Sequence, residues 1–155
     1  MPVDYFLTVP HIAGEVTATT SPGSLNFAGS IRVFSFSWGQ TNSGTASSGA
    51  GGAGKVSFSD FNVLKSFDRS SPLLMDAVVR GRHFPSVILS LVKSGSTQPF
   101  LTYEFDDVLI SSISDSGSDE VPTESVSFSM VKVIITYYYQ NPDGSITPIV
   151  FNSAP

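Results

Sequence analysis

The sequence predicts a mainly β protein, a two-sheet β-barrel or sandwich with one short α-helix over about residues 72–80 and a long glycine-rich loop. Three observations predict it. First, large apolar and small polar residues alternate over short runs such as Phe34-Ser35-Phe36-Ser37-Trp38 and Val56-Ser57-Phe58-Ser59, the period of a strand with one buried face. Second, two such runs are joined by a glycine-rich connection from Gly39 to Lys55 with no apolar residue larger than alanine. The chain's 14% charged share, against a usual ~25%, leaves much neutral surface suited to packing against other copies. Third, several long runs change the parity of their apolar residues midway, which suits a sheet that curls or folds into two packed layers. At 155 residues the chain is expected to form a single domain over 1–155 that buries roughly 68–70% of its unfolded surface.

The elements follow in order. Val3 to Val9 has strand composition between Pro2 and Pro10, and Ile12 to Thr20 is a candidate second short strand ahead of a turn at Ser21-Pro22-Gly23. Leu25 to Ser30 is ambiguous, whereas Ile31 to Trp38 reads clearly as a strand. Lys55 to Leu64 shifts from Val56 and Phe58 on one face to Phe61 and Val63 on the other, which places a bulge or bend near Ser59-Asp60. Ser71 as N-cap, Pro72 at the first helical position, Leu74, Ala77 and Val78 as an apolar stripe, and Gly81 past the end predict the helix. So short a helix is held by packing, not by its own propensity. Ser86 to Lys93 is almost continuously apolar, as in a strand covered on both faces. Phe100 to Ser114 changes parity after Asp106, a polar loop covers Ser114 to Pro122, and Ser125 to Tyr139 changes parity between Met130 and Val131. Asn141-Pro142-Asp143-Gly144 is a strong turn signal, and Ile146 to Phe151 is the last strand.

The composition excludes several functions. A net charge of −5 argues against nucleic acid as a partner, and no cysteine is present for disulfide or thiolate chemistry. No apolar stretch approaches about 18 residues, so no membrane insertion is expected. Met1 to Pro10 lacks a basic segment followed by a long apolar run, so no conventional signal peptide is expected either.

Chemical motifs are few. Gly49 to Gly54 fits G-x-G-x-x-G, and Gly49 to Lys55 fits the first seven positions of a phosphate-binding loop. Val56 then stands where the Mg²⁺-ligating hydroxyl belongs, and a strand pattern stands where the helix belongs. His11 and His83 are the only histidines, and Asp115, Asp119 and Glu120 lack EF-hand spacing, so no metal site or cofactor is expected. No G-x-S-x-G elbow is present, which disfavours a hydrolase. Arg80, Arg82 and His83 cluster at the helix end, where the macrodipole favours cations, and an interface or pore-lining role is open to them. Trp38 and Tyr137-Tyr138-Tyr139 read as core and sheet packing, with a monomeric ligand- or carbohydrate-binding β-module as the alternative. The connection from Gln40 to Lys55 has no apolar residue larger than alanine, and loops of that length in compact domains are usually functional or disordered.

Five stretches carry a family resemblance: VDYFLTVPHIAGEV, FSFSWGQTNSG, the run from Gly51 to Gly95, LTYEFDDVLISSISDSGS, and ESVSFSMVKVIITYYYQNPDGS. In this order the chain resembles the haemolysin-coregulated protein (Hcp) family, the tube subunit of bacterial type VI secretion systems. The resemblance covers most of the chain and is weaker over Ser21 to Ser30, and no extra effector domain is expected after Phe151. It implies a two-sheet barrel flanked by a short helix, and a structural protein with no catalytic residues, not an enzyme. It also implies a homohexameric ring, stacking of rings into an exported tube, and contacts with a spike protein, a contractile sheath and effector proteins. The chain would reside in the bacterial cytoplasm until firing and be secreted thereafter. Ring or subunit contacts are expected in the loop region, at Gln40, Thr41, Asn42, Ser43, Gly44, Gly49, Gly51, Gly52, Gly54 and Lys55.

Overall fold

A computed structural model of the chain describes residues 2–17, 27–42, 56–96 and 98–154. Among them are β1 (Val3–Thr8), β2 (Ile31–Val33), β3 (Ser35–Ser37), β4 (Gln40–Asn42), β5 (Val56–Phe58), β6 (Phe61–Ser66), α1 (Ser71–Arg80), β7 (His83–Lys93), β8 (Leu101–Ser116), β9 (Thr123–Ser129), β10 (Lys132–Gln140) and β11 (Ile146–Asn152). The main sheet follows the order β2-β1-β7-β8-β9-β6-β3, with β10 and β11 added beside β8, while β4 and β5 form a separate ribbon.

Strand β8 shapes the fold. Its first half, Leu101 to Asp106, pairs with β10, and its second half, from Leu109, pairs with β9. Strands β9 and β10 lie end to end along one side of β8, Leu109 facing Ser129 and Asp106 facing Lys132, and a register shift between Ile110 and Ser112 offsets the rest of β9. At the junction Asp107 adopts a left-handed conformation, φ 57°, and the opposite chain breaks at Met130-Val131. Both strands change parity there, so Phe105 and Val108 are both buried, as are Phe128 and Val133. The sheet bends along this line. Phe61 of β6 then stacks on Phe105 of β8 across the core at 4.4 Å between ring centroids.

The break expected near Ser59-Asp60 is also present. Val56–Phe58 pairs with β4, and Phe61–Ser66 pairs with β3 and β9. The ends of the main sheet, β2 and β3, are successive pieces of one chain separated by Phe34, whose N–H bonds the carbonyl of Leu64 at 2.7 Å. The sheet thus curls round on itself without a ladder that closes it, so the barrel is an open curl. The mainly β architecture with one helix is as expected.

The strand expected from Ile12 does not form over its described part. Instead Gly14 and Val16 donate their N–H groups to the carbonyls of Gly29 and Ser30. Gly14 is pressed onto this segment so closely that a Cβ would sit 2.3 Å from the Ser30 carbonyl oxygen. The loop 43–55 falls outside the described residues.

Helix α1 lies against the barrel with Leu74 and Ala77 in the core. Burying a leucine stabilises by roughly 1.5–3 kcal/mol, which a ten-residue helix needs because it is too short to persist alone. Gly81 ends it in the left-handed region, φ 60°, its N–H directed at the Val78 carbonyl. The N-terminus differs from the expectation by one residue. Ser70, not Ser71, is the N-cap, and it makes no side-chain capping bond. Ser71 is helical and buried, and its hydroxyl accepts the Asp68 N–H at 3.0 Å and the Lys65 ammonium at 2.9 Å. The adjacent serines made the two positions interchangeable by pattern alone.

Candidate assembly surfaces

The ribbon β4–β5 rises from an aromatic base. Trp38 is half-buried against Phe58, Tyr103 and Phe105, with ring centroids 5.8, 6.4 and 6.1 Å away. Above it Ser59 clamps the two chains: its N–H and hydroxyl both donate to the Gly39 carbonyl, and its Oγ accepts the Gly39 N–H at 2.7 Å. Gln40, Thr41 and Asn42 face Phe58, Ser57 and Val56 across the ribbon and are exposed, as is Val56. Ser43, Gly44, Gly49, Gly51, Gly52, Gly54 and Lys55 lie outside the described residues. The segment after Lys55 is a strand where a phosphate-binding loop needs a helix N-terminus.

The second surface is the hairpin β10–β11. Tight turn geometry starts it: the Ser145 hydroxyl and N–H both donate to the Asp143 carboxylate, which hold that carboxyl below its ordinary range. Asn141 ties off the turn through Ser145 and Thr147. Strand β10 begins in the core with Val133, but the hairpin outruns the rest of the sheet. All seven residues of β11 are exposed, including Ile146, Ile149, Val150 and Phe151, and so are Tyr137 and Tyr139. The tyrosines expected to pack in the core are therefore largely at the surface. A groove of about 440 Å³ separates the tip of β11 from the ribbon and is lined by Gln40, Thr41, Val56, Phe58, Phe151 and Ser153. A second, of about 530 Å³, lies along Phe100, Tyr137, Tyr139 and Ile146, beside Lys93, whose ammonium sits 5.1 Å from the centre of the Phe100 ring.

Other candidates are dispersed. His11, Arg80, Arg82 and His83 are exposed, and Arg80 is engaged by Asp76 one helical turn back at 2.9 and 3.1 Å. Asp115, Asp119 and Glu120 are exposed, and no group of metal-ligating side chains forms among the described residues.

One cluster escaped the sequence reading. Lys65 and Glu124 are both fully buried, with the ammonium 2.9 Å from Glu124 Oε1, 2.9 Å from Ser71 Oγ and 3.1 Å from Asp68 Oδ1. Burial pushes the Glu124 carboxyl above its ordinary range, aided by Asp115 directly across the ladder, while Lys65 opposes the shift. The signal was available. Lys65 shares the parity of Phe61 and Val63, and Glu124 that of Val126 and Phe128, so alternation sends both inward.

The family model described as "Type VI secretion system effector, Hcp" matches residues 6–137. Protein hcp1 of Pseudomonas aeruginosa is 35% identical over 95 residues, an alignment that spans 59% of this chain and 59% of that protein's length. Hcp1 from Salmonella typhimurium superposes with a TM-score of 0.76 at 27% identity, covering 98% of this chain and 95% of the other. A type VI secretion system effector from Yersinia pestis does so at 0.73 and 25% identity, covering 96% and 99%. With the family model matched over most of its length and the fold shared, the chain belongs to the Hcp family of type VI secretion proteins.

Proposed function

We propose that this chain is a tube subunit: six copies close into a ring, rings stack into a tube, and the tube is exported. In this reading the lumen carries effector proteins, a spike protein sits at the tip and a contractile sheath surrounds the tube. The subunit is held in the bacterial cytoplasm until firing. Family membership supports the secretion role, and among the described residues no helix is long and apolar enough to cross a membrane. The observation that carries the structural part is a complete core beside an uncovered, nearly charge-free hairpin and an exposed polar ribbon. The ribbon residues Gln40, Thr41 and Asn42, with the loop that leads from Asn42 to Val56, are assigned to contacts between rings. A sugar-binding module centred on Trp38 is less well supported, because that indole is occupied by three aromatic neighbours.

Native mass spectrometry and negative-stain microscopy of the purified chain, without ligand, test the proposal. Six-membered rings are expected. Monomer alone from micromolar to submillimolar concentration would overturn it.

A further inference from the structure

We infer that the β10–β11 hairpin is the side-to-side seam of the ring, and that a second copy of this chain grips it through side chains on both faces and not through its open edge. The inference rests on the ring reading and names the surface that reading needs. Tyr137, Tyr139, Ile146, Ile149, Val150 and Phe151 each keep between 39% and 57% of their surface exposed. At roughly 200 Å² per large side chain this leaves about 600 Å² of uncovered apolar surface on one hairpin. Tyr137, Tyr139, Ile149 and Phe151 share one face and Ile146 and Val150 the other, and the two faces together approach the ~800 Å² each partner contributes to a standard interface. Between Val133 and Asn152 the only charged residue is Asp143, in the turn, so an oppositely charged partner has little to hold. A neutral protein surface fits, and the ring supplies one at every subunit.

The choice of face over edge comes from Pro148. Among the described residues strand β11 pairs only with β10, and none of them pairs with its outer edge. Tyr138 turns its backbone toward β8, donating its N–H to the Phe100 carbonyl at 2.9 Å, and Pro148 lies directly opposite Tyr138. In an antiparallel pair the backbone of Pro148 therefore turns the other way, to the open edge. Proline has no N–H to give there, so the edge loses a ladder bond in its middle. Two β11 strands paired about a two-fold axis would lose that bond twice, once per copy. Such a pairing would also close a dimer, whereas a ring needs each hairpin to meet a different patch on its neighbour. Ile149 and Phe151 on one face, and Ile146 and Val150 on the other, are what remains to be gripped.

Three variants test this by native mass spectrometry against concentration, with thermal melting to report the fold. Ile149→Asp and Val150→Asp place a charge on opposite faces of an already exposed strand and should melt as the wild type does. Each should raise the concentration needed for half-assembly by about tenfold or more. Pro148→Ala restores the edge N–H and should leave assembly within about twofold of wild type. Should an aspartate variant fail to fold, Ile149→Ser and Val150→Ser carry the same expectation. Rings that form normally in both face variants overturn the inference while leaving the ring reading intact, and so does a Pro148→Ala variant that assembles about tenfold more tightly. A wild-type chain that never forms rings overturns the ring reading itself.

Discussion

Replacing Lys65 by methionine removes the cation that pairs with both Glu124 and Asp68. In the native protein the ammonium has three acceptors within 3.1 Å, while Glu124 Oε2 already lacks a hydrogen-bond partner. Methionine fills much of the volume of the lysine stem, so the change isolates the polar loss from a packing loss. Breaking one side of a fully buried pair costs about 3–5 kcal/mol because the other charge is stranded. Protonation of Glu124 caps that cost, since its carboxyl is already shifted toward the neutral form. We therefore expect a loss of about 3 kcal/mol in urea unfolding of dispersed protein, with the melting temperature lower by roughly 6–12 °C. The double variant Lys65→Met/Glu124→Leu removes both charges and should recover most of the loss, as replaced buried ion pairs often do. A single variant that loses less than about 1 kcal/mol would refute the reasoning. So would a double variant no better than the single, which would show that packing and not charge sets the cost.

Four further outcomes are expected. Burial raises the Glu124 carboxyl, so between its ordinary and raised values the folded chain holds a proton that the unfolded chain has released. Stability from this group is thus fully present below the ordinary carboxylate range and is lost as pH rises through the raised value. Wild type minus Glu124→Gln, compared by melting from mildly acidic to neutral pH, should show that gain on acidification. Leu74→Ala should cost about 2–5 kcal/mol in the same unfolding assay, because the helix has Leu74 and Ala77 as its buried apolar anchors. Gly14→Ala should cost about 1–3 kcal/mol, since its Cβ would meet the backbone of Ser30 and not a movable side chain. Replacing residues 43–55 by a tight turn should leave melting nearly unchanged, closure entropy varying by only about 0.6 kcal/mol per doubling of loop length, while ring stacking seen by microscopy is lost.

What the sequence disclosed follows from the period of two. The parity changes after Ser59, Asp106 and Met130 were legible because a single slipped residue moves a whole apolar set to the other face. Pro72 and Gly81 bracketed the helix for equally local reasons. The pairing of β8 with β7, β9 and β10 was not legible, because registers such as Val87 with Phe105 depend on contacts far apart in the chain. Nor was the exposure of Tyr137 and Ile149. Alternation says which residues share a face; it does not say whether anything covers that face in the monomer. Lys65 and Glu124 were passed over for the opposite reason, since a charged residue is ordinarily read as outward even where its parity points inward.

The buried cluster also accounts for the uncapped helix. A helix start leaves N–H groups without intrahelical partners, and a side-chain oxygen at the N-cap ordinarily accepts one of them. Ser70 does not do this; its hydroxyl and its N–H both turn back to the Asp68 carboxylate. Ser71 in turn accepts the Asp68 N–H, and Lys65 binds Asp68, Ser71 and Glu124 together. The turn between β6 and α1 is therefore organised around the ammonium of the strand it leaves, and the helix is aimed at the core by an ionic anchor from outside itself. Such an anchor has geometric as well as energetic content. An apolar pair in its place could hold the helix as tightly, yet it would leave the Asp68 carboxylate and the Ser71 hydroxyl without the ammonium that ties them to β6. The double variant should accordingly recover stability more fully than it recovers the position of α1.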